Sequence, residues 1–251
     1  RKVEFLRSSG YNRVIHFLQE KTMITYSPSA AAGATAQTNR VLRNSYLLLG
    51  LTLLPTIAGA FLGALFPLFA IVGPGMSFFV FLGVLIGFQK VVARNRNSVA
   101  GIGWLLGFTL FLGYFIGPSV GLALGMKNGL QIVAVAAGGT AAIFFIMAGY
   151  ATVTKRNFAT ASIGKMLSIG LGMAFGLSCV NYFLGVSAIS LALSSIFIPI
   201  SAAFILFTVN RVVRGGETNY IMVTMTLYIM LFNIFQSLLS LLMAFTGGGR
   251  D

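Results

Sequence analysis

Residues 46–70 read YLLLGLTLLPTIAGAFLGALFPLFA, a run with no charged side chain. About 20 residues at 1.5 Å each cross the hydrocarbon core of a bilayer, so this run is long enough to span one as a helix. Outward from it, similar runs follow at 73–89, 99–118, 128–153, 160–183, 186–208 and 218–244. A backbone in lipid must satisfy its own hydrogen bonds, so each is expected to be helical. The expected fold is an all-α integral membrane protein, a bundle of seven transmembrane helices over residues 46–245.

Two breaks need argument. Val72-Gly73-Pro74-Gly75 joins a proline to two glycines, which ends one helix and permits a tight turn. Phe183-Leu184-Gly185-Val186 carries no charge. One helix over residues 160–208 would nevertheless be about 70 Å long, far more than a bilayer needs. Two spans are therefore expected there.

Composition agrees. The 251 residues are 57% hydrophobic and 8% charged, against about 25% charged in soluble domains. The net charge of +13 does not form a nucleic-acid patch, because the cations sit at the ends of apolar runs. Arg40, Arg43, Lys90, Arg94, Arg96, Lys155, Arg156, Lys165, Arg211 and Arg214 fall on one side of the alternating spans. Only Lys127 and Arg250 fall on the other. Ten cations against two place the crowded side in the cytoplasm. The N-terminus is then cytoplasmic and the C-terminus periplasmic, with residues 246–251 a short tail. An even number of spans would destroy the alternation.

Residues 1–45 form a basic tail, with a small-residue stretch from Ser27 to Thr38 that reads as flexible linker. Val14, Ile15, Phe17 and Leu18 offer an alternative, a weak amphipathic helix on the membrane surface. Met23-Ile24-Thr25-Tyr26 resembles a natural start, so residues 1–22 read as upstream sequence or a fragment end as readily as native tail.

Little chemistry is available. Cys179 is alone, so no intramolecular disulfide forms, and His16 is the single histidine. No catalytic residue, metal site or cofactor is expected. Between Tyr46 and Asp251 the single carboxylate is Glu217, in the loop before the last helix. A carboxylate proton relay or an acidic calcium cage is therefore hard to build.

The last span is the most polar. Asn219, Thr226, Asn233 and Ser240 recur every seven residues, with Ser237 on the same face and Gln236 beside it. Seven residues are nearly two turns, so this stripe points one way, toward the bundle centre. It serves either interhelical hydrogen bonding or the lining of a water-filled or substrate-conducting centre. The glycine pairs Gly59/Gly63, Gly113/Gly117 and Gly172/Gly176 have the spacing that lets helix backbones approach. Gly138-Gly139-Thr140 reads as a packing or kink site.

Gly215-Gly216-Glu217-Thr218-Asn219-Tyr220-Ile221-Met222, with Thr226-Leu227-Tyr228 and Asn233-Ile234-Phe235, resembles the bacterial YccA-type branch of the Bax inhibitor (TMBIM) family. Trp104, Gly113-Tyr114-Phe115-Ile116-Gly117-Pro118 and Gly138-Gly139-Thr140-Ala141 extend the likeness, which runs from about Thr38 to Phe245. The resemblance implies a seven-helix inner-membrane bundle with its last helix central. Some family members are calcium-leak channels gated by two aspartates, and the corresponding positions here are Thr208 and Met230. Without those carboxylates a passive ion leak is the lesser expectation. The YccA-type branch implies a modulator, and a substrate, of the membrane protease FtsH. The lipid bilayer and that protease are the expected partners, and nucleic acid is not.

Overall fold

In the computed structural model, residues 28–67 and 73–247 are described. Among these residues seven helices follow one another: α1 (Pro28–Leu65), α2 (Pro74–Arg94), α3 (Val99–Leu124), α4 (Gly129–Val153), α5 (Ala161–Leu184), α6 (Ser187–Val213) and α7 (Tyr220–Gly247). Each is long and apolar enough to cross a membrane, the first over Ala36–Leu65. The chain divides into two compact units, Arg1–Asn39 and Arg40–Asp251, and the bundle described below is the second.

Several boundaries differ from the sequence reading. Helix begins at Pro28, so the described part of the stretch read as linker is helical. Its alanines are the strongest helix formers. The reading of residues 14–18 as a surface helix lies outside the described residues. The first span stops at Leu65, short of residue 70, because Phe66 precedes Pro67 and proline disfavours helix in the residue before it. The third continues to Leu124 past Pro118. The second and sixth run on to Arg94 and Val213, carrying their last cations on the helix. Between α5 and α6, Gly185 adopts φ +66°, the left-handed turn that ends a helix. The Asn181 amide donates to Ser190 Oγ at 2.7 Å and fastens the two helices across that turn.

The core is centred on α7. It packs on α2, α3, α4 and α6 and hydrogen-bonds to α1 through Ser45 and Thr56. Ile221, Val223, Leu227, Ile234 and Leu239 of α7 are fully buried, beside Leu105 and Phe108 of α3 and Ile205, Val209 and Val212 of α6. The opposite condition holds outside. Leu54, Phe61, Leu122, Leu130, Phe145 and Ile169 are all exposed. Such a continuous apolar surface is a lipid-facing surface, not one for water.

Helices α1 and α3 touch backbone to backbone. A methyl group on Gly59 would come within 2.7 Å of Tyr114 N, one on Gly113 within 2.8 Å of Thr56 C, and one on Gly117 within 2.7 Å of Ala64 N. Gly63 meets the Tyr114 backbone in the same way. Two of the three glycine pairs thus meet each other, and Tyr114 OH adds a hydrogen bond to the Phe66 carbonyl. The third pair does not share in this, for nothing lies within 4 Å of a methyl on Gly172 or Gly176. Gly139 admits the Leu238 side chain of α7, while Gly138 faces open space.

Candidate functional site

The cations mark one end of the bundle, and hydrogen bonds knit the loops there. Helix α6 ends in a Schellman motif: Gly216 N donates to Arg211 O and Gly215 N to Val212 O, both at 2.9 Å. Gly215 has φ +73°, where a side chain would be strained. Arg211 turns back over this corner, donating from Nε to Gly216 O at 3.3 Å and pairing with Glu217 at 3.4 Å. The other oxygen of Glu217 accepts the Thr218 and Asn219 amides, each at 3.1 Å.

Asn219 then starts the next helix. Its side-chain oxygen accepts from Met222 N at 3.1 Å, the geometry of an N-cap. Its amide nitrogen donates to Arg96 O at 2.9 Å and Asn97 Oδ1 at 2.8 Å, in the α2–α3 loop. The stretch from Gly215 to Tyr220 is therefore a splice between α6, α7 and the α2–α3 loop. Asn210, which the sequence reading passed over, does the same for α4. It is fully buried, accepting from Phe158 N at 2.9 Å and donating to Ala151 O at 3.2 Å. Arg214 reaches the Lys155 carbonyl at 2.6 Å. The available signal for Asn210 was an amide side chain beside the cations that end an apolar span.

The seven-residue stripe divides. Asn219 is occupied in capping. Thr226 bonds its own helix at Met222 O, and Gln236 reaches Ser240 at 3.5 Å. Asn233 is half-buried and Ser237 buried, and among the described residues Asn233 has no hydrogen-bond partner. Interhelical bonding comes from another face. The Tyr228 hydroxyl meets Thr56 Oγ1 at 2.8 Å and donates to Thr109 O at 3.3 Å. Thr224 Oγ1 lies 2.7 Å from Tyr220 O and 3.2 Å from Ser45 O.

Beside the splice lies a cleft of about 590 Å³ between α5, α6 and α7. Lys165, Arg211 and Glu217 line its outer part, while Ile169, Phe204, Phe207, Thr208, Met222 and Thr226 line the rest. Thr208 thus stands in the cleft wall, whereas Met230 is buried in the core away from the lining. Glu217 is the carboxylate of this cleft, and Arg211 already engages it. Among the described residues no three His, Cys, Asp or Glu side chains converge.

The family model described as "Inhibitor of apoptosis-promoting Bax1" matches residues 38–247. Among relatives, the Escherichia coli protein named modulator of FtsH protease YccA is 37% identical over 82% of this chain and 90% of its own. A protein of Neisseria meningitidis is 36% identical over 85% of this chain and 94% of its own. A Vibrio cholerae membrane protein is 32% identical over 86% and 95%. Seven membrane-length helices and relatives that include a named inner membrane protein make this a multi-pass protein of the bacterial inner membrane. With the family match covering the whole helical bundle, the chain belongs to the Bax inhibitor family.

Proposed function

We propose that this protein modulates a membrane-bound ATP-dependent protease of the FtsH type and is also a substrate of it. The observation that supports the reading is the 37% identity to the Escherichia coli modulator, spread over 90% of that relative. The regulator acts without chemistry of its own, and its basic end faces the cytoplasm by the positive-inside rule. The residues ahead of the first span then lie on the cytoplasmic side, and those from Met23 to Asn39, helical from Pro28, offer an initiation site to a processive enzyme once that end of α1 unwinds. The bundle resists extraction through the α1–α3 backbone contact and the hydrogen bonds that hold α7. An enzyme engaged on the tail is thereby kept from other substrates.

The test is reconstitution of the purified protein with FtsH in proteoliposomes, reading degradation of a second membrane substrate. Slowed degradation is expected, and an unchanged rate would sink the reading. Deleting residues 1–39 should then restore the rate and stabilise the chain itself. If both rates ignore the deletion, the tail has no such role.

A further inference from the structure

We propose that the cleft between α5, α6 and α7 binds an anionic phospholipid from the leaflet at the basic end of the bundle. The inference does not depend on the protease reading. It rests on the composition of the cleft, its uncompensated charge and the direction in which it opens.

The lining has two parts. Lys165 in the first turns of α5 and Arg211 in the last turns of α6 bring two cations to the end where the loops meet the headgroups. Ile169, Phe204, Phe207 and Met222 supply an apolar wall. A ligand matching both parts carries an anion on an apolar body. Charge decides which amphiphile. Arg211 is paired with Glu217 at 3.4 Å, whereas Lys165 has no carboxylate partner among the described residues. The lining therefore keeps one net positive charge, which one phosphodiester neutralises. Basic pockets between membrane helices at the headgroup level are suited to such groups.

The opening points to lipid. Ile169 lines the cleft yet is 63% exposed, so the cleft is continuous with the bundle's outer surface. Lys165 lies one turn from Ile169 on the same face of α5. Met166 and Met173 beside them are exposed as well. A ligand can thus enter sideways from the bilayer. The 590 Å³ is the size of a site for a drug-sized ligand. It accommodates a headgroup and the upper part of one acyl chain while the remainder stays in the membrane.

Native mass spectrometry of the full chain released from neutral detergent tests this, with phosphatidylglycerol or phosphatidylcholine added at equal concentration. Retention of one phosphatidylglycerol in preference to phosphatidylcholine is expected. Lys165→Glu should weaken that retention on the order of tenfold. Lys127→Glu, at the opposite end of the bundle, should leave it unchanged. Lys165 is exposed, so its variant should fold, and circular dichroism and gel filtration will verify this. Equal retention of the two lipids, or equal loss in both variants, would overturn the proposal. Complete displacement by millimolar inorganic phosphate would also overturn it, by making the cleft a free-anion site.

Discussion

The hydroxyl of Tyr228 lies 2.8 Å from that of Thr56, joining the last helix to the first. The same phenol donates to the Thr109 carbonyl at 3.3 Å, so one buried side chain links α7, α1 and α3. No charged group takes part. Removing the hydroxyl breaks both contacts in an apolar surrounding, where no water replaces them. Tyr228→Phe should therefore destabilise the bundle by about 0.6–1.7 kcal/mol, the scale of hydrogen bonds between membrane helices. A cycle with Thr56→Val, read by unfolding in mixed micelles, should give a coupling energy in that range. Additive effects would show that the contact contributes nothing.

The contact of α1 with α3 predicts a contrast among glycines. Alanine at Gly59, Gly63, Gly113 or Gly117 places a methyl group into opposing backbone, which cannot move aside as a side chain can. Each substitution should cost about 1–3 kcal/mol. Alanine at Gly172 or Gly176, which face open space, should be neutral or slightly stabilising, since alanine favours helix. Melting of all six variants in one detergent checks the ranking.

The splice at the basic end predicts a separate pair of effects. Asn219→Ala removes an N-cap and should cost about 0.5–2 kcal/mol. It also frees the α2–α3 loop from its bonds at Arg96 and Asn97, so protease cleavage around residues 95–98 should accelerate. Gly215→Ala should cost about 1 kcal/mol because its φ of +73° is left-handed, without exposing that loop. If cleavage rises equally in both variants, Asn219 is not the tie.

Orientation can be read by thiol labelling. With Cys179 replaced by serine, a cysteine at Asn97 should be modified only after reagents reach the cytoplasm. One at Asn128 should react with impermeant reagents from the periplasm. The reverse pattern would invert the topology inferred from charge.

Much of the fold was legible because its causes are local. Hydrocarbon thickness sets the length of a span, and basic residues gather at one end of each alternating turn. Gly185 and Gly73-Pro74 mark the ends of helices by their own backbone preferences. The candidate site was less legible. A heptad of polar residues on α7 indicated one direction, but Asn219 became a cap, Thr226 bonded its own helix and Tyr228 and Thr224 made the ties to other helices. Asn210 drew no attention as a single amide beside the cations that end the sixth span.

The physical reason is that lipid and protein core are both apolar. In a soluble helix the contrast of polar and apolar faces tells which side is buried. Here Leu54, facing outward, and Leu105, fully buried, are the same residue type in similar surroundings. By itself the sequence therefore determined how many membrane-length helices the described residues hold, where all but the first begin and end to within a few turns, and which end gathers the cations. Tertiary structure alone decided which glycines meet, which side chain reaches which carbonyl and where α5, α6 and α7 leave a cleft, because those depend on partners far along the chain.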